Sequence, residues 1–69
     1  MTTSAPSLEF DAERVKRIRV MLGLSQQEFA AKLGVNINMI NRWEQARAVP
    51  MRAPVLKALL DAEREAFGG

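Results

Sequence analysis

Cysteine, histidine and tyrosine are all missing from this 69-residue chain. Without thiols or imidazoles there are no disulfides and none of the usual zinc sites, so the sequence implies no metal and no cofactor. Nucleophilic catalysis loses its usual nucleophile–imidazole pair, and no glycine-rich phosphate loop accompanies the carboxylates, which argues against an enzyme. No apolar run approaches the roughly 20 residues a membrane-spanning helix needs. The first ten residues hold no lysine, no arginine and no apolar block, unlike a secretion signal. The expectation is a cytoplasmic protein with no membrane partner.

The length suits one compact domain with a modest core. The net charge is only +2, yet its distribution is uneven. Residues 14–57 hold nine lysines and arginines against Glu28 and Glu44, while Glu9, Asp11 and Glu13 precede them and Asp61, Glu63 and Glu65 follow. A phosphate-facing surface flanked by acidic ends has this pattern. So does an ordinary solvated surface, and charge alone leaves both open.

Residues 1–9 are small, polar and interrupted by proline, which predicts a flexible N-terminal arm ahead of a domain over 10–67. Asp11 is a helix cap, Phe10 and Val15 have the spacing of a hydrophobic staple, and Val15, Ile18 and Leu22 share a face. A first helix over about 12–22 follows, stopped by Gly23. Ser25-Gln-Gln-Glu28 is a capping box that starts a second helix at Gln26, with Phe29, Ala30 and Leu33 inward and Gly34 as its stop. Asn36 caps a third helix over about 37–45, with Ile40 and Trp43 inward. Pro54 suits the first turn of a fourth, whose apolar positions are Val55, Leu56, Leu59 and Leu60 and which runs to about Phe67. No strand pattern appears, so the fold class is all-α.

The informative segment is Gln26 to Trp43, QQEFAAKLGVNINMINRW. Two short helices crossing steeply through a three-residue turn need a small side chain in the first, and Ala30 supplies it. Four residues on, the turn needs positive φ, which Gly34 adopts without a Cβ penalty. Six residues further, Ile40 is the bulky apolar plug between the helices. Gln27, Lys32, Asn38, Asn41, Arg42 and Gln45 remain on the outward faces.

With those residues in place, the stretch Ile18 to Pro50 resembles the helix-turn-helix domain of lambda-type phage repressors, Cro proteins and related bacterial regulators. From Phe10-Asp11 onward, and in the helix after Pro50, the chain looks most like the compact DNA-binding domains of toxin–antitoxin antitoxins. The resemblance implies a bundle of four or five helices that binds double-stranded operator DNA with its third helix in the major groove. It also implies a homodimer, because one such helix covers only a few base pairs. A protein-binding role, with a partner such as a toxin, is the alternative. The chain departs from the family pattern in two places: Ala46 stands where glycine is common, and Asn36 and Asn38 stand where serine or threonine is common.

By this resemblance Asn36, Ile37, Asn38 and Arg42 read bases, with Asn41 nearby. Asparagine can pair with adenine and arginine with guanine, while Ile37 can pack on a thymine methyl. For Asn36 and Arg42 the plain alternatives are a cap and a solvated charge. Phosphate contacts fall to Gln26, at the amide end of the second helix, and to Gln27, Asn41, Arg47 and Arg52. Arg14, Lys16 and Arg17 are either further contacts or surface charges. Trp43 shares the register of Ile40 and reads as core. Arg19 and Glu44 match a structural ion pair common in the family. Met51, Val55 and Phe67 either form a dimer surface or complete the monomer's own core.

Overall fold

A computed structural model describes residues 10–68. The expected arm over residues 1–9 lies outside them. Among the described residues there are four helices and no strand: α1 (Ala12–Met21), α2 (Gln26–Leu33), α3 (Ile37–Glu44) and α4 (Ala53–Phe67). No helix among them is long and apolar enough to cross a membrane.

Local chemistry sets the boundaries. Asp11 accepts the amide of Arg14 at 2.8 Å, and its neighbour Phe10 packs in the core with Val15, which closes the staple. Both arms of the Ser25 box form: Ser25 Oγ accepts Glu28 N at 3.0 Å, and Glu28 Oε1 accepts Ser25 N at 2.8 Å. Asn36 Oδ1 caps α3 by accepting Asn38 N at 2.7 Å. Pro54 sits in the first turn of α4, as the sequence implies.

The first three helices end alike. In each, an amide reaches back five residues to a carbonyl: Leu24 to Arg19 at 3.1 Å, Val35 to Ala30 at 2.9 Å and Arg47 to Arg42 at 2.8 Å. This closure requires a left-handed residue just past the helix. Gly34 meets it at φ +75° and Ala46 at φ +61°. At Ala46 a Cβ crowds the backbone, so α3 carries a local strain that α2 does not.

The core is Phe10, Val15, Ile18, Phe29, Ala30, Leu33, Ile40, Trp43, Leu59 and Ala62. Ile40 and Trp43 are fully buried, which makes the inner face of α3 the floor of the molecule's centre. The indole Nε1 of Trp43 is the one buried side-chain nitrogen or oxygen among the described residues with no hydrogen-bond partner. Of the apolar positions of α4, Leu59 is fully buried and Leu60 is 39% exposed, while Ala62 is buried. Ala62 lies three residues after the buried Leu59 and shares its face, whereas Leu60 is turned about 100° away.

Arg14 ties α1 to α4. Its Nε and Nη2 donate to Glu63 Oε2 and Oε1 at 2.8 and 2.7 Å, and its guanidinium lies 4.0 Å over the Phe10 ring. Arg14 is therefore engaged within the fold, while Lys16 and Arg17 are exposed. The hydrogen bonds from Arg14 hold the Glu63 carboxyl below its ordinary value, with partial burial opposing and the positive charge adding. A depressed carboxyl stabilises the fold above the ordinary carboxylate pKa, and that contribution is lost as pH falls through the folded value.

Two outcomes follow. Glu63→Gln is expected to cost about 1 kcal/mol at pH 7. Its difference from wild type should close as pH falls through the carboxylate range, followed by urea denaturation; a gap that widens in acid would contradict the pairing. Ala46→Gly is expected to raise stability by about 1 kcal/mol, because glycine removes a left-handed cost of about 1–2 kcal/mol while adding some unfolded-state entropy. A lowered unfolding midpoint would contradict this.

Candidate nucleic-acid interface

Gly34, Val35 and Asn36 form the whole connection between α2 and α3. Ala30 and Ile40 are both buried at the crossing, as the spacing requires. With Ile40 and Trp43 facing inward, helical periodicity turns Asn38, Arg42 and Gln45 directly outward, and all three are exposed. Ile37 lies beside them and is 42% exposed, an apolar side chain left in solvent. Asn41 is half-buried on the side of α3 that faces α2. Asn36 spends its Oδ1 on the cap and keeps its amide nitrogen free of that bond. Met39 is 37% exposed, a second apolar side chain of α3 left in solvent.

Charge around this face has one sign. Between Phe29 and Leu60 the sequence holds a single acid, Glu44. Arg19 neutralises it: Nε and Nη2 donate to Glu44 Oε2 and Oε1 at 2.7 and 3.1 Å, and Nη1 donates to the Leu24 carbonyl at 2.9 Å. The pair is well shielded, with side chains 16% and 7% exposed. Lys32 is engaged with Glu65 at 2.9 Å, whereas Arg42, Arg47 and Arg52 are exposed and have no ion-pair partner among the described residues. Arg42 thus stands on α3 itself, Arg47 follows its C-terminal end, and Arg52, at the start of α4, shares a groove with Asn36 and Met39.

The N-terminus of α2 adds a second electropositive element. The capping box takes the amides of Ser25 and Glu28, and those of Gln26 and Gln27 point off the end of the helix. Gln27 is exposed. The Gln26 side chain, expected to extend toward a phosphate, is instead turned inward. Its Nε2 donates to Glu44 Oε1 at 3.1 Å, and its Oε1 accepts Asn41 Nδ2 at 3.5 Å. This inward turn was not legible from spacing, because the three residues belong to two helices and meet only after folding.

A largely shielded ion pair of this kind adds little net stability, but removing Arg19 leaves Glu44 with the Gln26 amide as its side-chain donor. Arg19→Met alone is expected to cost about 3 kcal/mol, while the apolar double variant Arg19→Met/Glu44→Leu should lose much less than Arg19→Met and Glu44→Leu together. Chemical denaturation of the four proteins checks this. Additive losses would contradict a coupled pair.

The same segment emerges from comparison with known proteins. A family model described as helix-turn-helix matches residues 15–62, from Val15 in α1 to Ala62 in α4. No curated protein and no solved structure gives a significant match. With the family model covering more than half of the residues, the chain belongs to the lambda-repressor/Cro-like helix-turn-helix family of DNA-binding regulators.

Proposed function

We propose that this chain is a sequence-specific repressor that enters the major groove of double-stranded DNA with α3 and works as a homodimer on a two-fold symmetric operator. The observation that carries this reading is the outer face of α3, where Asn38, Arg42 and Gln45 stand exposed above the fully buried Ile40 and Trp43. These polar side chains close no part of the core and are free for base edges. Asn38 suits adenine and Arg42 suits guanine, Ile37 offers a surface for a thymine methyl, and Asn36 retains an amide nitrogen. The amides of Gln26 and Gln27, with Arg47 and Arg52, would take phosphates and fix the register of the helix on the duplex.

Two copies are proposed because one short helix reads only a few base pairs, and two spaced by a DNA turn multiply that selectivity. The exposed Leu60 and Phe67 of α4 support a protein contact, whereas the exposed Met51 adjoins Arg52 near the start of α3 and is a weaker candidate. Val55 packs against the core instead and is a weaker candidate. The same residues favour a second reading, in which the partner of α4 is another protein, such as a toxin. Light scattering separates the two: a dimer of the isolated chain fits the first, and a monomer fits the second.

Selection from randomised duplexes tests the base assignments. Asn38→Ala and Arg42→Ala should keep the helical circular dichroism and each lose about 1–3 kcal/mol of discrimination at its own base pair. Arg47→Ala should weaken all sequences about equally and reduce the slope of log affinity against log salt by about one. Wild-type base preferences in both α3 variants would contradict the assignments.

A further inference from the structure

The network beneath α3 has a direction, and the buried carboxylate sets it. Ionised Glu44 can only accept hydrogen bonds. Gln26, 3.1 Å from Glu44 Oε1, must therefore present its amide nitrogen there, since the opposite flip would bring two oxygens together. That choice places Gln26 Oε1 toward α3. Asn41 Nδ2 lies 3.5 Å from it, a long and weak contact that favours the nitrogen over the oxygen on that side. One polarity thus passes from Arg19 through Glu44 and Gln26 to the half-buried Asn41.

We infer that Gln26 is a positioning residue for specificity: it holds the Asn41 amide with Oδ1 away from α2, so that Asn41 offers the DNA an acceptor. This rests on the reading of α3 as the helix that enters the major groove. An outward acceptor matches a base with a major-groove amino group, adenine through N6 or cytosine through N4. Guanine shows only the acceptors O6 and N7 on that edge, and a fixed Oδ1 opposes them. The second hydrogen of Nδ2 stays available, so a two-point contact with adenine remains open. The consequence is specific. Without Gln26, the Asn41 amide can turn over and accommodate guanine as readily as adenine.

The test is selection from randomised duplexes with the whole chain and three variants, Asn41→Ala, Gln26→Ala and Gln26→Met, the last keeping the side-chain volume without its hydrogen bonds. Asn41→Ala should lose roughly tenfold preference at one base position, the loss corresponding to one base contact. Both Gln26 variants should bring guanine to within about threefold of adenine or cytosine at that same position, leave the other positions unchanged and retain the wild-type circular dichroism. The inference is overturned if the Gln26 variants keep the wild-type preference, if they weaken every sequence alike, as loss of a phosphate contact would, or if Asn41→Ala changes no position. Failure of the wild-type chain to bind any duplex at low salt would instead overturn the groove reading, and this inference with it.

Discussion

Helix α3 has eight residues, too few to stay helical in water by itself. Everything the outer face of this helix can do depends on what grips it from below and at its end. Ile40 and Trp43 grip it from below, buried among side chains of the other helices. The Glu44 carboxylate grips its last turn, held by Arg19 from α1 and by Gln26 from α2. Two buried side chains fix the depth of the helix and one carboxylate fixes its rotation, which leaves Asn38, Arg42 and Gln45 free of structural duty.

The materials used for this are unequal in strength. Apolar burial under Ile40 and Trp43 supplies the stability, at roughly 25 cal/mol for each Å² of apolar surface removed from water. The Arg19–Glu44 pair supplies direction more than energy, because desolvating two charges offsets most of their attraction. A carboxylate that can only accept also orders the amides around it, which a leucine in its place could not do. Ala46 shows the opposite preference. The chain places a Cβ at a left-handed position that glycine would occupy with less strain, and nothing in the structure explains the substitution.

Features that depend on near neighbours were legible in the sequence. The Asp11, Ser25 and Asn36 caps, the Gly34 turn and the Ala30–Gly34–Ile40 spacing act within a few residues, so pattern alone locates them. Trp43 was legible as core through its register with Ile40. The Arg19–Glu44 pair spans 25 residues and came only from family resemblance. Arg14 and Glu63 are 49 residues apart, and no local rule could join them. The apolar pattern of α4 does not tell its buried members from the rest, because the run exceeds what one face can bury and leaves Leu60 exposed. The Gln26 side chain reads from sequence as a phosphate contact for a related reason: helix-end electrostatics describe its main-chain amide well but do not foresee a carboxylate from another helix.

In the proposed complex the N-terminus of α2 and the outer face of α3 form one DNA-facing surface, separate from Leu60 and Phe67 of α4. The most direct measurement is a map of backbone amide chemical shifts as a short duplex is titrated into the labelled chain. The largest changes should fall at Gln26 and Gln27 and from Ile37 to Arg47, with Leu60 and Phe67 close to their free positions in a one-half-site complex. Changes concentrated along α4, with Asn38 and Arg42 unmoved, would contradict it.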